Sequence, residues 1–378
     1  MTAGGEIDQG GLEAVSTVDR VASLTGVRAL AALLVVATHA AYTTGKYTHG
    51  FIGVFYSRME IGVPIFFVLS GYLLFGPWVR AAAAGSAAPS LTRYAWHRVR
   101  RIMPAYVVTV LAAYLIYHFR EGGPNPGHSW WGLARNLTLT QIYTDNYAFA
   151  LLHQGLTQMW SLAVEVAFYV ALPLLAYLLL VLLCRRRWRP GLLLAGLGGL
   201  AALSPAWMVL AHTTDFLPDG ARLWLPGYLA WFIGGMMLTV LAAMGVRVYA
   251  FVAIPLALLC YLIASTPIAG EPTTSPAGLA QALVKIVFYA VIATLVVAPL
   301  ALGNRGWYSR VLASRPMVWL GEISYEIFLV HLIVMEIAMV EVLHWRVYTG
   351  SMFALFVVTM LLTIPVAWVL HRFTRVRS

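Results

Sequence analysis

The chain has 378 residues, of which 61% are hydrophobic and 11% charged, against about 45–50% and 25% in an ordinary soluble domain. That balance excludes a soluble globule. Lys and Arg exceed Asp and Glu by ten, but the basic residues form short runs between long apolar stretches, which fits a membrane surface and argues against nucleic acid. The two cysteines, Cys184 and Cys260, lie in or beside apolar segments, with neither a disulfide framework nor a zinc-ligand spacing. No metal is expected.

A bilayer core about 30 Å thick takes about 20 mostly apolar residues per helix. In chain order the sequence predicts ten such spans, at 25–43, 61–80, 102–119, 160–184, 191–211, 223–244, 248–265, 279–302, 317–340 and 350–371. The expected fold class is therefore an all-α integral membrane protein. With the amino terminus in the cytoplasm, 18 Lys and Arg fall on the inner side and six on the outer side, with Lys285 inside a span. This bias places both termini in the cytoplasm. The first 24 residues carry Glu6, Asp8, Glu13 and Asp19 and lack the positive start of a secretory signal. They read as a cytoplasmic tail (1–24), followed by one membrane domain (25–371) and a short second tail (372–378), with no soluble domain appended. The outer loop 120–158 is the longest and is rich in Gly, Pro, Trp and Tyr, including Trp130, Trp131, Tyr143 and Tyr147. Such a loop covers a site or forms an interfacial aromatic belt.

Ionisable side chains inside spans cost at least about 2.5–3.5 kcal/mol on insertion scales, so each one marks a functional candidate. Counting about 1.5 Å per residue places His39, Glu165, Lys285 and His331, from four helices, in one layer near the outer third. Arg28 lies eleven residues before His39, three turns plus roughly 20°, so the two share a face about 16.5 Å apart along the axis. Arg28 then stands at the cytoplasmic end, as a paired functional cation or as a snorkelling interfacial one. The run His97-Arg98-Val-Arg100-Arg101-Ile-Met-Pro104 enters the third span from the cytoplasm. Helix amino termini and Arg forks suit phosphate. An ordinary positive-inside cluster touching anionic lipid gives the same pattern.

These pieces, in this order and across nearly the whole chain, resemble the membrane acyltransferase-3 family. The Arg, ten residues, His signature is met by Arg28 and His39. The second-helix phrase reads Gly62-Val-Pro64-Ile-Phe66-Phe67-Val-Leu-Ser70-Gly71, with Pro64 where an acidic residue is common, so that carboxylate is missing or moved, for instance to Glu60. Arg98, Arg101 and Pro104 meet the third-helix motif, with His97 in place of a frequent Arg. Trp160-Ser161-Leu-Ala-Val-Glu165-Val166-Ala-Phe168-Tyr169 keeps the first of a usual Glu pair, and Leu320-Gly321-Glu322-Ile-Ser324-Tyr325 with His331 matches the late motif.

The resemblance implies an O-acyltransferase of the bacterial cytoplasmic membrane. The donor would be acetyl-CoA arriving from the cytoplasm, the acceptor a hydroxyl of an envelope glycolipid or glycan. Within the family the chain is similar to actinobacterial members that acetylate trehalose monomycolate. A unit of this kind would complete the transfer itself or hand the acyl group to a separate envelope-export partner. Arg28, Arg98, Arg100 and Arg101 are expected to hold the donor phosphates, with Ser70 and Tyr325 beside the thioester path. His39 acts as general base or forms an acyl-histidine, and Glu165 orients it. Lys285 neutralises Glu165 or stabilises an oxyanion. The competing reading is a proton-coupled lipid transporter or flippase, which would show repeats or broken helices.

Overall fold

The computed structural model describes residues 9–120, 125, 127–144, 153–271, 278–303 and 306–375. Tyr147 and the acidic Glu6 and Asp8 of the sequence reading lie outside these, as do Arg305 and Arg377, two of the 18 inner-side cations counted there. Among the described residues every regular element is helical. In chain order they are α1 (Gln9–Thr43), α2 (Gly50–Ser57), α3 (Gly62–Ala84), α4 (Leu91–Phe119), α5 (Trp130–Leu137), α6 (Met159–Ala176), α7 (Pro190–Ala201), α8 (Leu203–Thr213), α9 (Leu225–Ala243), α10 (Ala250–Ala264), α11 (Leu279–Ala301), α12 (Trp307–Leu312), α13 (Arg315–Glu322), α14 (Ser324–Ile337) and α15 (Met352–Thr374). Each of the ten predicted spans has a helical counterpart. Eight helical stretches of the described residues are long and apolar enough to cross a membrane, α13 and α14 form one bent pair, and α10 is a shorter apolar helix.

Local chemistry sets the ends. Ser90 caps α4 by accepting the Arg93 N–H, at 3.5 Å, and Gly85 closes α3 with a φ of 64°, a left-handed turn that costs glycine nothing. The region predicted to be a tail does not stand apart from the first span. α1 runs without interruption from Gln9, and its apolar crossing segment starts at Arg20. Arg28 is therefore about 12 Å along that segment, not at its rim.

Without a hydrophobic drive between helices in lipid, close packing relies on small residues. A Cβ on Gly71 would fall 2.0 Å from the Phe232 carbonyl oxygen, and one on Gly235 1.8 Å from that of Val68. α3 and α9 thus cross backbone to backbone, with the Phe67 and Phe168 rings stacked on Phe232 at 4.3 and 4.0 Å. Gly321 presses α13 onto α1 in the same way, where a Cβ would meet the Thr25 carbonyl oxygen at 2.0 Å. At Ile323 the chain turns by 71° into α14, which packs along α1 and α15. The ninth predicted span is thus a broken helix, and the break aims α14 at the α1 face that carries Arg28 and His39.

Candidate active site

α1, α3, α4, α6 and α14 enclose a cavity of about 300 Å³, whose polar lining is Arg28, Arg98, Arg101, Ser70, Ser161, Glu165, Tyr169 and Tyr325. Helical spacing explains the set. Arg98 and Arg101 lie three residues apart on one face of α4, and Glu165 and Tyr169 four apart on α6. The Tyr169 hydroxyl donates to Glu165 Oε1 at 2.6 Å, and the Ser70 hydroxyl donates to the same oxygen. On α3, Ser70 thus serves the cavity while the neighbouring Gly71 serves packing. Tyr325 is tied to α4 by a hydrogen bond from its hydroxyl to the Ile102 carbonyl, 3.0 Å. Arg28 feels the charges of Arg101, Glu165 and Glu326, and among the described residues its guanidinium has no hydrogen-bonded or salt-bridged partner. Arg98 Nε is buried and, among the described residues, unpaired. Three guanidiniums against one carboxylate make this an anion-attracting chamber with donors to spare.

Arg100 does not join it. Its guanidinium lies 5.7 Å from the Trp96 ring centroid one turn back along α4, because two residues from Arg98 on a helix is about 200° away.

A second cluster lies eleven residues further along α1. The His39 and His331 rings are 5.0 Å apart, tilted by 55°, with His331 Nε2 at 3.2 Å from His39 Nδ1. His331 is fully buried and His39 half-buried. Glu60 pairs with Lys285 at 2.6 Å and accepts from the Tyr289 hydroxyl at 2.8 Å, and its charge reaches the His39 ring. Phe328 separates the two clusters, lining the cavity with Phe66 while its ring lies 6.0 Å from that of His331.

Two expected pairings are corrected here. Glu165 does not orient His39 but belongs with the arginines, and Lys285 pairs with Glu60, not with Glu165. The depth count failed because α6 starts inside the protein. Gln158, just before it, donates through Nε2 to the Leu329 carbonyl of α14 at 2.9 Å, so Glu165, seven residues on, lies about 10 Å past that level toward the arginines. His39, His331 and Lys285 with Glu60 remain near one another. Glu60 fills a carboxylate position beside the His39 face, Pro64 being buried in α3. Buried Arg58 was not anticipated as structural. It ties the α10 end in place by donating to the carbonyls of Ala264 and Ala269, at 2.9 and 3.0 Å, and of Gly270. Glu326 pairs with His371 at 3.0 Å, and Glu322 is exposed.

An arginine-lined chamber lies among apolar helices, with an imidazole pair further along α1. The chain belongs to the acyltransferase-3 family, whose model, described as an acyltransferase domain, matches residues 21–372. Among curated proteins it is similar to the peptidoglycan O-acetyltransferase OatA of Listeria monocytogenes, 27% identical over 341 residues covering 82% of this chain and 49% of OatA. It is also similar to the acyltransferase MdmB of Streptomyces mycarofaciens, 32% identical over 174 residues covering 45% of this chain and 42% of MdmB. The matched regions span about half the length of these relatives or less. No solved structure matches the chain.

Proposed function

We propose that the chain is an integral-membrane O-acyltransferase that moves an acetyl group from acetyl-CoA, bound from the cytoplasm, to a hydroxyl of a cell-envelope glycan or glycolipid on the outer side. The observation that carries this is the arrangement along one face of α1, where Arg28 opens into the three-arginine chamber and His39 stands about 16.5 Å further on. Arg28, Arg98 and Arg101 bind the donor phosphates, the unpaired Arg98 Nε being one donor free to do so. The pantetheine arm extends past Ser70 and Tyr325, and the thioester reaches His39 when the Phe66 and Phe328 rings part. His39 takes the acceptor hydroxyl proton as the oxygen attacks, a step typically worth about 10²–10⁴-fold. Glu60 stabilises the imidazolium that forms, and Glu165 keeps the arginine chamber from carrying three uncompensated charges. The excess of Lys and Arg on the inner side supports cytoplasmic termini, which puts the donor chamber on the side where CoA is found.

The test is acetyl transfer by purified protein from radiolabelled acetyl-CoA to a panel of acceptors that includes peptidoglycan fragments and trehalose glycolipids. Labelled product with wild type and none with His39→Ala is the expected result; transfer undiminished by His39→Ala overturns the reading. The broken α13–α14 span favours a second reading, a flippase for the same lipid. Movement of glycolipid across vesicles in the absence of CoA would establish that reading instead.

A further inference from the structure

Building on the general-base reading, we propose that His331 is a positioning residue that holds the His39 ring in one tautomer, with Nδ1 protonated, so that Nε2 is the nitrogen that accepts the acceptor hydroxyl's proton. The hydrogen-bond geometry assigns the protons in sequence. His331 Nδ1 lies 2.8 Å from the Phe328 carbonyl oxygen and 3.3 Å from that of Ile327. Carbonyls only accept, so this nitrogen carries the hydrogen. The ring is fully buried and among the described residues no carboxylate pairs with it. An uncompensated cation there would carry a heavy desolvation cost, which leaves a neutral imidazole whose Nε2 presents a lone pair.

That lone pair faces His39 Nδ1 at 3.2 Å, while the Val35 carbonyl oxygen faces the same nitrogen at 2.7 Å. Two acceptors on one nitrogen require it to be the donor, sharing its hydrogen between them in the three-centre manner common in helices. A neutral His39 then has its free electron pair on Nε2, for which no protein partner appears among the described residues. The alternative tautomer would set an unprotonated Nδ1 against two lone pairs. The two acceptors are already in place when the ring becomes charged, so they stabilise the imidazolium without rearrangement.

The step balances. The acceptor O–H bond breaks and its proton moves to Nε2 of His39. The oxygen forms a bond to the thioester carbon, the tetrahedral intermediate collapses with cleavage of the C–S bond, and the departing thiolate takes the proton from Nε2 to give free CoA thiol and the ester.

The experiment joins kinetics and histidine ¹⁵N spectra of the purified protein, with His39 assigned by comparison with His39→Gln. Wild-type His39 should show a protonated Nδ1 and a bare Nε2; the reverse pattern overturns the proposal even if both His331 variants misfold. His331→Phe removes the acceptor and should lower kcat by about 10²-fold, within the range of acid–base contributions, with the KM for acetyl-CoA changed by less than about twofold. Its His39 ¹⁵N signals should show mixed tautomers. His331→Gln puts an amide oxygen where Nε2 was and should recover activity to within about tenfold of wild type. Equal losses in the Phe and Gln variants, or full activity in His331→Phe, sink the positioning role. Activity in His39→Ala sinks the general-base reading beneath it, so the two failures are distinct.

Discussion

The guanidinium of Arg98 offers the sharpest test of the donor chamber. Among the described residues its buried Nε has no hydrogen-bond partner, a condition that costs free energy unless a ligand satisfies it. A phosphate oxygen arriving there gains a charge-assisted hydrogen bond worth about 1.5–3 kcal/mol. At about 1.4 kcal/mol per decade, Arg98→Gln should weaken acetyl-CoA binding about 10- to 100-fold. Turnover at saturating donor should change by less than about threefold, because the side chain touches no reacting atom. Removing an unsatisfied buried donor should leave the melting temperature of the unliganded protein unchanged or slightly raised. Arg100 is the internal control. It lies two residues away on the same helix and carries the same charge, but it is occupied over Trp96, outside the chamber. Arg100→Gln should therefore shift affinity by less than about twofold, as expected of a partly exposed surface cation. Calorimetric titration of each variant with CoA, beside initial rates, reads both quantities. Equal weakening by the two variants would reduce the effect to general surface charge, and a fall in turnover with unchanged affinity would refute a phosphate-binding role altogether.

Three further outcomes follow from the geometry. Glu165→Gln should keep the hydrogen bonds of Ser70 and Tyr169 while removing the only carboxylate lining the chamber among the described residues. As with Arg98, turnover at saturating donor should change by less than about threefold, while acetyl-CoA, a polyanion, should bind up to about tenfold more tightly to the less compensated arginines in protein that still inserts and purifies as a single species; an unchanged affinity would remove Glu165 from the site. Glu60→Gln strands Lys285, whose side chain is 32% exposed, and should lower the detergent-solubilised melting stability by about 1 kcal/mol; Glu60→Gln with Lys285→Met should regain most of that loss, and an additive double variant would show that the pair is not coupled. In the loop before α6, burial, with nearby His128 adding to it, pushes the His153 pKa down to about 4. The unfolded chain takes up this proton near pH 6.5 and the folded one only near 4, so the full stability is present above pH 6.5. It should fall by about 3 kcal/mol as the pH drops to 4. His153→Asn should flatten that slope in melts recorded across pH 4–7, and an unchanged slope would assign it to other groups.

The positions of Arg28 and His39, eleven residues apart, show how far periodicity carries. Their shared face and separation follow from the helix alone, and both prove to look toward α14. The Arg98 and Arg101 pair was legible for the same reason. Arg100 was misplaced because a run of basic residues in sequence is not a cluster in space when the backbone turns 100° per residue. The apolar lengths likewise marked helices that the described residues contain, including the ninth, whose break at Ile323 left no mark on its hydropathy.

Depth was the weaker guide. It put His39 and His331 in one layer, where they are in contact, but it put Glu165 there too. Counting residues from an apolar boundary assumes that all helices start level with the membrane surface, and α6 starts at the buried Gln158, held by α14. The Lys285 partner was missed by the same error.

By itself, the sequence determined which segments are long and apolar enough to cross a membrane and which side chains are too polar to lie in lipid without a purpose, because the hydrocarbon core rejects charge residue by residue. It also determined which of them share a helix face. The tertiary structure decided which of those groups meet. Pairings such as Glu60 with Lys285, or His331 with His39, depend on how far each helix slides against its neighbours. That sliding is set by glycine contacts and buried loop anchors, which no single helix records.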